Sequence, residues 1–437
     1  MKNHTKSYEQ LAAYCHALPV VDCHDHSTRL GPKYADPIQV VIGEYFLTDI
    51  GSVTSEDEAK TLLDASIPWQ DRWPILEKAW PLTCHTGFAQ ITRRVLKKFY
   101  DEEEVTFAAL QRINERLLDL DDWEAFDSIL EEAGIVVRLE DVWPDVSQIL
   151  DGTYQLTPRG RLVIPLPAYH RINNYQSVQD MVAPLTVTVT TLDQYVEACY
   201  EIFKGFKTFG AVAFKDQSAY FRPLDYGNPT RAEAEEIFNW FMADPTRSAA
   251  YPTGTRALDD YLFNAFLRMA RELELPVQIH TGHMAGLYGD VTNANAIKLA
   301  PLLMLHRDVR FDLFHANWPY SGELLYLGKA YPNVALNFCW TNVIDPVYCQ
   351  DLFRQALASV PHSKIHAFGS DFGGFGFEPG GGYADRAWAH AQMARENVAI
   401  ALSDMVEMGY INVDQAQEIA RDWLYDNPNR FYRLGLK

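Results

Sequence analysis

The sequence predicts an α/β protein, a (β/α)8 barrel of the TIM type with a helical insertion between strands 1 and 2, on three observations. Eight short β-like runs recur along the 437 residues, the stretches between most of them carry helical periodicity, and residues able to hold a metal ion follow several of the runs. The first run covers residues 18–23, where an apolar stretch meets polar chain at Asp22. It leads into His24 and His26, and side chains two apart on a strand share a side, so the two imidazoles can grip one ion. A pair of surface or capped histidines is the plain alternative for such a motif alone.

Residues 27–133 are too long for a simple crossover and are rich in aromatic residues, which predicts a helical cap over the barrel mouth. Within them Phe107, Leu110, Ile113, Leu117 and Leu118 recur at helical spacing and predict a helix over 106–120. The second to fourth strands fall at 134–139, 161–166 and 210–215, the last ending on Lys215. Residues 216–273 are again longer than one helix requires. The fifth strand, 275–280, ends on His280; the sixth, 309–314, runs into His315; the seventh covers 334–339; and the eighth, 364–369, is followed by Ser370 and Asp371. A glycine-rich loop is expected at 373–382, because glycine weakens helices and strands. A helix follows at 383–408 and another at 414–425, with Asp414 as N-cap and Asn427-Pro428 as its stop. The whole of 1–437 is read as one barrel domain.

With 48% hydrophobic and 22% charged residues the chain has the composition of a folded protein. A net charge of −20 with no basic run argues against nucleic acid or an anionic membrane as partner. No apolar stretch is long enough to span a bilayer, and the polar opening, 1–16, predicts a soluble, cytoplasmic protein. A homo-oligomer is compatible with this composition. Six scattered cysteines form no Cys-x-x-Cys and predict reduced thiols; Cys23, between Asp22 and His24, is expected to be turned away from the histidines and to pack.

If the strands close in order, His24, His26, His280, His315 and Asp371 converge on one barrel mouth. Each has a bland reading as a loop or turn residue; their joint placement favours a divalent metal, with Zn²⁺ the first candidate and Mn²⁺, Fe²⁺ or Co²⁺ also suited to imidazole and carboxylate ligands. Such an ion lowers the pKa of a bound water from about 15.7 towards 7. Asp371 could then move the proton, and His315 could bind the ion or steady a developing oxyanion.

Taken together, Val21-Asp22-Cys23-His24-Asp25-His26, Ile279-His280-Thr281-Gly282, His315 with Asn317-Trp318-Pro319-Tyr320, Gly369-Ser370-Asp371 and the ending Asp426-Asn427-Pro428-Asn429-Arg430-Phe431-Tyr432 resemble the amidohydrolase superfamily. The resemblance is to its amidohydrolase-2 branch, which includes metal-dependent decarboxylases and is related to uronate isomerases. It spans nearly the whole barrel and is loose over 27–133. It implies His24, His26, His280 and Asp371 as metal ligands, Asp371 also as proton shuttle, and His315 as ligand or substrate contact. In some branches a carboxylated lysine at the position of Lys215 bridges two metals. The run 214–222 looks more like the branch in which lysine and arginine face an anionic substrate, so one metal is expected, with Lys215, Tyr220 and Arg222 on the substrate; a surface salt bridge is the plain alternative for Lys215. Arg29 and His283 are further substrate-binding candidates, and His170, Arg93 and Arg94 weaker ones.

The reading is therefore a metal-dependent hydrolase acting on an ester, lactone or amide of a small, anionic molecule. The alternatives are isomerisation of a sugar acid, non-oxidative decarboxylation and, from a different class, a metal-stabilised scaffold without catalysis.

Overall fold

The computed structural model describes residues 5–26, 34–120, 122–372 and 383–437. Arg29 and the glycine-rich stretch 373–382 lie outside the described residues.

All eight expected strands form, as β1 (Val20–Asp25), β2 (Ile135–Asp141), β3 (Gly160–Pro165), β4 (Ala213–Asp216), β5 (Val277–Ile279), β6 (Phe311–Leu313), β7 (Val334–Asn337) and β8 (Ile365–His366). They pair in parallel, in sequence order. Single bonds bridge the seam between β8 and β1: Cys23 N donates to Phe368 O at 3.2 Å, Asp371 N to His24 O at 2.9 Å and His26 N to Phe372 O at 3.2 Å. Gly369 permits this approach, since a Cβ there would sit 2.6 Å from Cys339 Sγ and 3.2 Å from His24 N. Gly282 (φ 70°) does the same after β5, where a Cβ would meet the backbone of Asn317 and Trp318 at 2.5 Å.

The barrel interior divides in two. Val21, Cys23, Val137, Leu139, Val163 and Ala213, from β1 to β4, form an apolar cluster with Tyr425 and Tyr432. From β5 to β8 the interior is polar: Asp312 accepts from Asn337 Nδ2 at 2.8 Å, from His366 Nδ1 at 2.9 Å and from the Tyr432 hydroxyl, while Gln278 Nε2 donates to Cys23 O and to Tyr432 Oη, each at 3.0 Å. Tyr432 thus closes the barrel from below. Cys23 packs as expected, although β1 shifts register between Asp22 and Asp25 and does not alternate simply. All six cysteines are free and buried.

The insertion is helical, with Pro37–Gly51, Glu56–Leu63, Trp69–Thr83, Gly87–Tyr100, Phe107–Asn114 and Trp123–Glu132. Asp36, Ser55, Thr86, Thr106 and Asp122 cap five of these helices by accepting backbone N–H bonds. The helix expected to reach 120 stops at Asn114; Leu117 and Leu118 still pack against the core, and Leu118 N donates to the Tyr100 hydroxyl at 3.3 Å. The insertion is tied to the long helix Ala384–Glu407 by Tyr34, which donates to Asp385 at 2.8 Å, and by Arg386, which donates to Thr92 Oγ1 at 3.1 Å and to Val40 O.

The last helical stretch departs from expectation. Asn412 caps Val413–Arg421 through a capping box, in place of Asp414. Pro428 does not stop the chain: a π-helical turn, Asp422–Asp426, leads into Asn427–Tyr432, where the proline occupies the tolerated first turn. Asn427 Nδ2 donates to His362 O at 2.8 Å and Ile365 O at 2.9 Å, which docks this helix on β8. No described helix is long and apolar enough to cross a membrane.

Replacing Tyr432 by phenylalanine deprives buried Asp312 of one of its three donors. The substitution is expected to lower unfolding free energy by about 1–3 kcal/mol in urea titration; an unchanged midpoint would show that the hydroxyl does not hold the floor.

Candidate metal centre

The ends of β1, β4, β5 and the segments after β6 and β8 bring the expected residues to one place. Asp371 Oδ1 lies 3.3 Å from His24 Nε2 and 3.2 Å from His26 Nε2, and its Oδ2 lies 3.7 Å from His315 Nδ1. His24, His26 and Asp371 form one group with candidate ligand atoms within 4.8 Å of one another, and His315, Cys339 and Asp371 form a second. His280 joins through His315, its Nδ1 3.0 Å from His315 Nε2.

The bonds around these rings decide which nitrogen lone pairs point inward. His26 Nδ1 lies 2.7 Å from the Asp141 carbonyl, which only accepts, so Nδ1 carries a proton and Nε2 is the nitrogen left to face Asp371. By the same logic His315 Nδ1 donates to Cys339 O at 3.1 Å and His280 Nε2 to His283 O at 2.8 Å. The two remaining nitrogens then face each other, lone pair to lone pair. Burial holds both rings neutral, pushing His315 down to about 3 and His280 well below its ordinary value. Burial, with the Lys215 ammonium, lowers His24 to about 4, and its buried Nδ1 has no partner. Burial would raise Asp371, but its close contacts with the His24 and His26 rings hold it well below the usual carboxylate range. His26 differs from the other rings: burial opposes its charge, but the hydrogen bond to Asp371 and the charges of Asp141 and Asp371 outweigh burial and raise it to about 9. Three neutral imidazoles, an ionised carboxylate and a His26 nitrogen whose proton a cation would displace are the donor set of a divalent cation, and these residues fit one.

Lys215 is buried, with Nζ 2.9 Å from His24 Nε2 and 3.7 Å from Asp141 Oδ2, so a surface salt bridge is not its role. Tyr220 packs its ring 4.7 Å from that of His280 and accepts from Ala285 N at 3.1 Å. His283 lies between Trp340 and Trp318, with centroids 4.8 and 5.5 Å away.

Arg222 is not brought to this cluster. It is fully buried, and its guanidinium ion-pairs with Asp259 and Asp260 at 2.6 Å each. His170 belongs to the same closed network, held between Asp259 and Asp216, with Tyr226 and Ser218 also donating to Asp216 at 2.9 and 2.7 Å. Arg93 pairs with Glu104 within the insertion, and Arg94 with Glu396 of the long helix Ala384–Glu407.

Sequence reasoning missed three contributors, Asp141, Ser370 and Trp340. Asp141 ends β2 two residues beyond the expected strand and anchors His26, and the rule that strand ends carry function would have found it. Ser370 bonds Asp22 at 2.6 Å and Asp25 at 2.7 Å, fixing the residue before Asp371 against β1, while Asp25 pairs with Arg138. Trp340, at φ 64°, packs its ring 5.3 Å from His315. Nothing in the sequence pattern marks Trp340.

A family model described as amidohydrolase matches residues 243–434, which include His280, His315 and Asp371. Over that stretch, less than half of its length, the chain is similar to the amidohydrolase family. The fungal protein fluG of Emericella nidulans is 26% identical over 239 residues, covering 51% of this chain and 26% of that protein, so the match spans about a quarter of the relative's length. The fold of this chain is shared with a glucuronate isomerase from Caulobacter crescentus (TM-score 0.78, 16% identity, 100% of this chain and 96% of the other). It is also shared with a uronate isomerase from Thermotoga maritima (TM-score 0.76, 15%, 98% and 97%) and a candidate metal-dependent hydrolase from Lactobacillus casei (TM-score 0.67, 16%, 97% and 98%).

Chelation is expected to lower the thermal unfolding midpoint by several degrees and one equivalent of Zn²⁺ to restore it, with His26→Ala abolishing the response; a midpoint indifferent to chelator would count against the centre. The neighbouring network carries a pH dependence of its own. Desolvation opposes charge on His170, but Asp259 and Asp216 outweigh it and raise it from 6.5 to about 9. A raised folded-state value means folding favours the protonated ring, so its stabilisation, on the order of 3 kcal/mol, is complete below about pH 6.5 and lost as pH rises through about 9. Urea titrations across that window should show the decline, and His170→Gln should flatten it.

Proposed function

We propose that this chain hydrolyses an ester, lactone or amide bond of a small, carboxylate-bearing substrate, using one divalent cation, with Zn²⁺ the first candidate and Mn²⁺, Fe²⁺ or Co²⁺ compatible. The observation that carries the reading is the Asp371 carboxylate, one oxygen of which meets His24 and His26 at 3.3 and 3.2 Å while the other is engaged only at 3.7 Å. His24, His26, His280 and Asp371 would hold the cation, with His315 beside them. When bound, a divalent cation acidifies water and polarises a carbonyl oxygen.

The chain's own groups supply the rest. Asp371 Oδ2, the less engaged oxygen, takes the proton of the attacking water and returns it to the leaving group. Asp141 holds His26 by Nδ1 so that Nε2 faces Asp371. Lys215 presents a buried ammonium against His24, placed to bind a substrate carboxylate or a developing oxyanion, and Tyr220 and His283 wall the space around His280.

One observation favours a second reading, aldose–ketose isomerisation of a sugar acid: the fold is shared along nearly the whole chain, including the helical insertion, with proteins named as uronate and glucuronate isomerases. There Asp371 would move a proton between carbons instead of from water.

Zn²⁺-loaded protein incubated with lactones, N-acyl amino acids and uronic acids separates the two. Ring opening or deacylation is expected, and Asp371→Asn should reduce kcat/KM by about 10²- to 10⁴-fold. Ketose formation from uronic acids without hydrolysis of the other compounds would replace the first reading with the second.

A further inference from the structure

We propose that the substrate carries an apolar, aryl or alkyl arm, and that a cavity between the helical insertion and the segment after β5 receives it. The inference rests on the reading of the centre as one that takes a small carboxylate-bearing molecule, and names the other half of that molecule. The cavity holds about 280 Å³ and is lined by Tyr45, Leu47, Ala59 and Leu63 from the helices Pro37–Gly51 and Glu56–Leu63, and by Ala285 and Leu287 from the β5 segment.

Two independent chains of contact join this cavity to the candidate metal centre. On one side Tyr45 packs its ring 4.5 Å from Trp340, which lies 5.3 Å from His315, and also 6.0 Å from Phe372, the neighbour of Asp371. On the other, Ala285 N donates to Tyr220 Oη at 3.1 Å, the Tyr220 ring lies 4.7 Å from His280, and His283 O accepts from His280 Nε2 at 2.8 Å. Each wall is therefore one side chain removed from a residue of the centre.

The lining chemistry selects the occupant. Leu287 is 40% exposed although it faces apolar neighbours, so an apolar group seated here would remove hydrocarbon surface from water. An apolar cavity of about 150 Å³ already accommodates benzene, so this one has room for a six-membered ring and a short linker. Glu56 and Lys60, also lining the cavity, pair with each other at 2.6 Å. Thr48 and the Glu56–Lys60 pair sit on the wall as well, so a polyhydroxylated arm would find partners there but would leave the hydroxyls that face Leu47, Leu63 and Leu287 unpaired, at a cost in binding.

Calorimetric titration of Zn²⁺-loaded protein with butyrate and with 4-phenylbutyrate tests this directly. The aryl acid is expected to bind about tenfold or more tightly than the short one. Ala59→Trp, which fills the cavity from a half-exposed helix position, and Leu63→Asp, which makes it polar, should each bring the ratio of affinities close to one, with urea titration verifying that both variants fold. A ratio near one in the unsubstituted protein, no detectable binding of 4-phenylbutyrate, or a ratio that survives both substitutions would overturn the proposal. Because the titration reads binding and not turnover, a protein that hydrolysed nothing yet kept the ratio would remove the hydrolase reading and leave the subsite.

Discussion

The mouth of this barrel depends on the contact between its last strand and its first. β8 is only two residues long, and the segment beyond it crosses the seam by donating Asp371 N to His24 O, with the Asp371 side chain then lying against His24 and His26. Gly369 is the narrow point, because any side chain there would strike Cys339 and β1. Closure of the strands and assembly of the donor set are thus one event, since the same residues perform both.

That contact requires unusual backbone. Asp371 (φ 52°), His315 (φ 59°) and Trp340 (φ 64°) all adopt left-handed conformations where β8, β6 and β7 give way to loops. Such conformations cost roughly 1–2 kcal/mol per non-glycine residue and persist only where surroundings over-determine them. Here they do: Ser370 is pinned by Asp22 and Asp25, His315 by Cys339 O, and Trp340 N by Gly369 O at 3.1 Å. The strain turns side chains inward that regular strands would have spaced along the pleat.

Much of this was legible in the sequence. Eight strands could be read in order because each is a short apolar run bounded by polar chain, and the histidines stood out because they come directly after those runs. The features that escaped reading depend on contacts distant in sequence. Arg222 looked like an anion clamp, yet Asp259 and Asp260 from a later helix consume its charge. Lys215 had a solvent-exposed alternative that only the packing of β1 against β4 residues removes. Asn412 outcompeted Asp414 because its side chain and that of Gln415 satisfy each other's backbone N–H groups, a reciprocity that composition alone does not rank. The run through Pro428 escaped because a π turn re-phases the backbone before the proline arrives.

The floor of the barrel has its own consequence for how the molecule comes into being. Tyr432 leaves the ribosome long after Cys23 and Gln278, which its hydroxyl helps to tie together. A nascent polypeptide still lacking the helix Asn427–Tyr432 has Asp312 and Gln278 facing an open lumen. Maturation of the interior therefore waits on synthesis of that helix, and a truncation that removes it strikes the centre of the fold instead of its edge.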